Sequence, residues 1–176
     1  MIFTETKLKG SFIIELEKNE DDRGFFARTF DKEEFMKKGL KSEFIQSSIS
    51  VNNKEGTIRG MHFQKKPHEE VKIVRCTKGK IFDVIIDLRK NSKTFKKWFS
   101  IELSEKNYKM IYVPKGFAHG FQTLKNNTEV SYCISKQYSS KHLGGIRWDD
   151  KVFQIKWPLK VTNISDRDRK FKNFIT

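Results

Sequence analysis

Ile81-Phe82-Asp83-Val84-Ile85-Ile86-Asp87-Leu88 is the run that decides how this chain folds. Its even positions, Phe82, Val84, Ile86 and Leu88, are all apolar, whereas Asp83 and Asp87 fall on odd positions. Successive side chains of a strand point to opposite faces, so the alternation reads as a β-strand whose even face turns inward. Glu129–Lys136 carries a similar signal, with Val130, Tyr132 and Ile134 on one face, which aims the Tyr132 hydroxyl into the interior. Within Pro114-Lys115-Gly116-Phe117-Ala118-His119-Gly120-Phe121, the residues Phe117, His119 and Phe121 share a face, so His119 is expected to be buried.

Outward from these runs the pattern stays extended. From Phe44 onward, short runs between turn signals keep strand character for about ninety residues. Strands repeated at short intervals argue for a sandwich or barrel. Upstream, Phe12–Leu16 reads as a short strand, and Asp21-Asp22-Arg23-Gly24 as a turn into Phe25–Phe30. Asp31 is placed to cap a short helix, with Glu34 completing a capping box and Gly39 ending it. The expected class is mostly β with a few short peripheral helices.

With 176 residues the chain fits one domain, 1–176, large enough for a real core. Sixteen phenylalanines supply much of that core, and only three prolines interrupt the ladders. Met1–Gly10 shows no apolar run followed by small residues, and no stretch approaches spanning length, so neither a signal peptide nor a membrane partner is expected. Cys76 and Cys133 have no C-x-x-C spacing, which suits a reducing cytoplasm rather than a disulfide framework. The net charge of +14 comes from lysines dispersed singly and in pairs. Dense basic runs that track a phosphate backbone are missing, so the charge points to a solvated surface or an anionic small substrate, and not to nucleic acid.

Chemistry concentrates in Gly56-Thr57-Ile58-Arg59-Gly60-Met61-His62-Phe63-Gln64. An imidazole accepts a proton near neutral pH, which makes His62 a candidate base. Strict alternation puts Arg59 and His62 on opposite faces, so they share one pocket only if Gly60 carries a bulge or a second chain supplies one of them. Tyr132 is either an acid in that pocket or a core tyrosine with a backbone partner. Asp168 lies three residues after Ser165, the spacing of a helix cap.

Pro114-x-Gly116-x-x-His119 resembles the second motif of the cupin superfamily, a double-stranded β-helix of jelly-roll type. Metal-bearing cupins also need His-x-His, and here that motif reads His62-Phe63-Gln64. Glu69 or Glu70 would have to complete a facial site, so no metal and no other cofactor is expected.

A closer likeness covers nearly the whole chain. Asp21-Asp22-Arg23-Gly24-Phe25-Phe26, Arg59–Gln64, Gly116–Phe121, Glu129-Val130-Ser131-Tyr132, Trp148-Asp149-Asp150, Ile155-Lys156-Trp157-Pro158 and Ser165-Asp166-Arg167-Asp168 occur in order. This set resembles the dTDP-4-dehydrorhamnose 3,5-epimerase family. The resemblance implies a cupin-type jelly roll and an isomerase that inverts C3, C5 or both in a nucleotide-linked 4-keto-6-deoxyhexose, in deoxysugar biosynthesis for a surface polysaccharide. By the same likeness His62 is the base, Tyr132 the acid, Asp168 the carboxylate behind the imidazole, and Lys72 the cation near the carbonyl oxygen. His119 lines the sugar site, Arg23 and Arg59 bind the diphosphate, and Phe26, Gln46 and Tyr138 hold the nucleotide. A cytoplasmic homodimer is implied, with amino-terminal segments reaching the neighbouring pocket. This chain differs from the usual pattern in Arg28, where an acidic residue is usual, in Ser48, where asparagine is usual, and in Pro67–Lys72, which lacks the glutamine and glycine before the lysine. The remaining alternatives are inversion at C3 alone, keto-isomerisation of a related nucleotide sugar, or a non-catalytic or metal-binding cupin that only binds a sugar.

Overall fold

The strands expected from alternation assemble into two sheets packed face to face in a computed structural model that describes residues 1–175. They are β1 (Ile2–Glu5), β2 (Phe12–Glu15), β3 (Lys18–Asp21), β4 (Gly24–Ala27), β5 (Gln46–Asn52), β6 (Thr57–Gln64) and β7 (Lys72–Lys78). Then come β8 (Lys80–Asp87), β9 (Trp98–Ser104), β10 (Met110–Val113), β11 (Phe117–Thr123), β12 (Thr128–Ile134), β13 (Leu143–Gly145) and β14 (Asn163–Ile164). One sheet runs β1-β2-β10-β7-β12-β5, and the other runs β13-β6-β11-β8-β9 with β14 alongside β6. The hairpin β3–β4 forms a small third sheet, turning at Asp22-Arg23 as the sequence indicates. This is the jelly roll of the cupins, mostly β with two short α-helices, α1 (Lys32–Lys37) and α2 (Asp166–Arg169).

Both sheets contribute to the inner core. Val74, Cys76, Ile111, Val113 and Val130 of the first sheet meet Ile81, Ile85, Leu103, Phe117 and Phe121 of the second. Outside the first sheet, Phe35 of α1 packs with Phe3, Phe30, Phe44 and Tyr112. Asp31 caps α1 by accepting from the Glu33 and Glu34 backbone N–H groups, and Gly39 follows at φ +69. Glu34 does not close the capping box, because its carboxylate pairs with the amino terminus of Met1 at 2.9 Å.

The deciding strand is present, but its faces are exchanged. The odd residues Ile81 and Ile85 point into the barrel, and Asp83 joins them beneath His119. The even residues Val84 and Ile86 are equally buried, against Ile146 and Phe153 of the carboxy-terminal segment, with Phe82 and Leu88 nearby. Alternation says that two faces differ in chemistry. It cannot say which faces inward when a later segment covers the outside. Asp87 is buried too, and its charge is met by Arg89 and by the hydroxyls of Ser92 and Thr94.

At the Arg59–His62 parity conflict the structure uses a bulge. On β11, His119 pairs with His62 and Phe121 with Arg59, so Gly60 and Met61 together oppose the single residue Gly120. Gly60 has φ +137, and a Cβ there would lie 2.5 Å from the Gly120 Cα. We expect Gly60→Ala to destabilise the fold by about 2–5 kcal/mol, summing backbone strain and overpacking. Denaturant unfolding measures it, and a loss below about 0.5 kcal/mol would mean that the bulge is not constrained in this way.

Candidate active site

Between the sheets opens a cavity of about 330 Å³. One wall carries Ser48 and Ser50 of β5, Lys72 of β7, and Tyr132 and Ile134 of β12. The facing wall carries Arg59, His62 and Gln64 of β6, with His119 and Phe121 of β11. Tyr138, Leu143, Glu70 and Arg167 complete it. The expected base and acid therefore belong to opposite sheets and open on one space.

His62 reaches this space because the bulge shifts its parity. Its Nε2 lies 2.7 Å from Asp168 Oδ1. A carboxylate only accepts, so Nε2 carries the proton of the neutral ring and Nδ1 holds the free lone pair. Asp168 is 2 % exposed, and its other oxygen accepts from the Gly60 N–H at 3.1 Å. Burial alone would raise its pKa, but the hydrogen bond and charge of His62, the Gly60 N–H and Arg167 outweigh it and hold the carboxyl below its ordinary value. The cap reading of Asp168 holds as well, since its backbone N–H donates to Ser165 Oγ at 3.1 Å. One residue starts α2 and backs the imidazole.

Tyr132 borders the inner core with its ring edge-on to His119, centroids 6.1 Å apart. Burial pushes its phenol well above the ordinary tyrosine value, the charge of Asp83 pushes the same way, and Arg59 opposes. The hydroxyl is thus held protonated and available to donate. His119 is buried as expected, with Nε2 2.8 Å from Asp83 Oδ2. Asp83 Oδ1 is buried without a partner. This second histidine–carboxylate pair escaped sequence reasoning because Asp83 was assigned to the outer face.

Arg59 lines the cavity. Its Nε donates to Asn52 Oδ1 at 2.7 Å, which holds the guanidinium along the cavity. Lys72 forms an ion pair with Glu70 at 2.9 Å. Gln46 lies beside the rim, where its side-chain oxygen accepts from the Tyr138 N–H at 2.8 Å. Arg23 and Phe26 are not brought to this cavity. They sit on the β3–β4 hairpin, where the Arg23 side chain is 89 % exposed and pairs with Asp21, and Phe26 is 71 % exposed. Arg28 is also outside, 3.7 Å from Asp31. Arg167 lines the cavity from α2, and its place beside Asp168 in the Ser165–Asp168 motif is the one sequence signal for it.

The whole chain is similar to known proteins in sequence and in fold. The family model described as dTDP-4-dehydrorhamnose 3,5-epimerase matches residues 5–175. A dTDP-4-dehydrorhamnose 3,5-epimerase of Methanothermobacter thermautotrophicus is 40 % identical over 173 residues, 97 % of this chain and 92 % of that protein. The crystal structure of the Bacillus anthracis enzyme of that name, with TDP and PPi bound, is 40 % identical with a TM-score of 0.95, covering 98 % of this chain and 99 % of that one. A Legionella pneumophila dTDP-6-deoxy-D-glucose-3,5-epimerase in complex with dTDP-4-keto-L-rhamnose is 31 % identical with a TM-score of 0.91, covering 98 % and 92 %. With the family model spanning almost every residue and the fold superposing end to end, this chain belongs to the dTDP-4-dehydrorhamnose 3,5-epimerase family and is an isomerase.

Proposed function

We propose that the chain inverts C3 and C5 of a dTDP-linked 4-keto-6-deoxyhexose by proton transfer through an enolate, a route that needs no metal. The observation that carries this is His62, backed by Asp168, opening on the same cavity as the protonated Tyr132 from the opposite sheet. A ketone acidifies the hydrogens of both neighbouring carbons, because the carbanion left behind delocalises onto oxygen. His62 Nδ1 takes such a hydrogen, and Tyr132 returns one to the other face. Asp168 orients the imidazole and stabilises its protonated form. Positioned acids and bases contribute about 10²–10⁴-fold, and fixed charge on the enolate supplies more. Lys72 provides that charge, His119 lines the sugar site, and Arg59 meets the diphosphate with a guanidinium fork suited to phosphate oxygens. Tyr138 and Gln46 hold the nucleotide at the rim.

Arg23 and Phe26 complete the diphosphate and nucleotide contacts from a second subunit. Supporting this, their hairpin is exposed, and β5 is an edge strand with Ile49 and Val51 turned to solvent. The pair works as a cytoplasmic homodimer whose product feeds a surface polysaccharide. Among the described residues no helix is long and apolar enough to cross a membrane, and Cys76 and Cys133 are unpaired.

Turnover in D₂O with dTDP-, GDP- and CDP-linked 4-keto sugars tests the reading. Two deuterons on the dTDP sugar are expected. One deuteron would identify a single-site epimerase, and none on any sugar would reject epimerisation.

A further inference from the structure

Glu70 is the one carboxylate among the described residues that line the cavity. Its Oε1 lies 2.9 Å from Lys72 Nζ, and the two side chains are only 10 % and 13 % exposed. The chain around it is tied down. Val71 donates to Ser135 Oγ at 2.8 Å and accepts from the Ser135 N–H at 3.0 Å, while Lys72 opens β7 in register with Ile134. Glu70 therefore holds a fixed place beside the cation that meets the ketone oxygen, and no other donor among the described residues pairs with its carboxylate.

We propose that Glu70 is a specificity-determining residue whose carboxylate accepts a hydrogen bond from the sugar's 3-hydroxyl while Lys72 takes the neighbouring ketone oxygen. This rests on the epimerase reading above. The assignment follows by elimination. A carboxylate facing the substrate can only accept. Of the two carbons flanking the ketone, C5 carries a methyl group and the ring oxygen, neither of which donates. C3 carries a hydroxyl, vicinal to the ketone oxygen, so of these two carbons only C3 offers a donor to a carboxylate next to Lys72. Hydrogen bonds to charged groups are the stronger kind, and one fixed to the 3-hydroxyl steadies the C3–H bond for His62. The preferred substrate class is a 4-keto hexose that keeps a free 3-hydroxyl, and Glu70 favours reaction at C3 over C5.

The test compares wild type, Glu70→Gln and Glu70→Asp on a dTDP-linked 4-keto-6-deoxyhexose in D₂O, with deuterium at C3 and C5 followed separately by NMR. Glu70→Gln is expected to slow C3 exchange about tenfold, the difference between a charged and a neutral acceptor, and to leave C5 exchange within about twofold. Glu70→Asp, which keeps the charge, is expected to recover part of the C3 rate. A role confined to holding Lys72 or the fold would slow both carbons together, and that result, or any other partition, overturns the proposal. Exchange at neither carbon in wild type would instead reject the epimerase reading itself, and so is told apart from a failure of Glu70 alone.

Discussion

His62→Ala is expected to abolish deuterium incorporation at both C3 and C5, lowering the exchange rate by at least about 10²–10⁴-fold. Both hydrogens flank the same ketone, and His62 presents an Nδ1 lone pair on a ring that a buried carboxylate backs at 2.7 Å. His119, which pairs with Asp83 in the same way, is the less accessible of the two, its side chain 5 % exposed against 23 % for His62. Removal of His62 also strands Asp168, which is 2 % exposed and would keep only the Gly60 and Arg167 contacts. Thermal unfolding measured in parallel separates that structural loss from the catalytic one. NMR of recovered substrate gives the readout, and exchange equal to wild type in a folded variant would remove His62 from the role of base.

Tyr132→Phe is expected to separate exchange from inversion. His62 can still remove and return a proton on one face, so deuterium enters with the starting configuration retained. Completed inversion needs a donor on the other face, and the phenol projects into the cavity from the sheet opposite His62. Product should fall by about 10²–10⁴-fold while exchange persists at a measurable rate. Loss of both at once would show that the phenol does more than donate, and full inversion would show that another group is the acid. Because burial holds the phenol protonated well beyond neutral pH, the wild-type rate should not decline on its account between pH 7 and 9.

Much of this architecture was legible in the residues. The hairpin at Asp22-Arg23, the cap at Asp31 and the inward face of β12 follow from local geometry, and the structure reproduces each. The ordered motifs located His62, Tyr132, Arg59 and His119, the family likeness added Lys72, and all five line one cavity. What alternation missed was sidedness. Val84 and Ile86 are apolar for the sake of Phe153 and Ile146, contacts made by a segment some sixty residues later, whereas Asp83 tolerates the interior because His119 meets it there. The pairing of Glu70 with Lys72 was equally hidden. Two residues apart in an irregular loop have no fixed relative direction until Ser135 pins Val71 between them.

The extra residue in β6 also places a limit on how the chain can vary. Cutting Gly60 would restore even pairing with β11 and leave Arg59 and His62 two apart, so plain alternation would keep both side chains on the cavity face. What would go with the cut residue is the N–H that Asp168 accepts at 3.1 Å. Every side chain named in the mechanism could be kept while the carboxylate behind the imidazole lost a donor. The backing of the imidazole thus depends on a count of peptide units in this strand as well as on residue type along it.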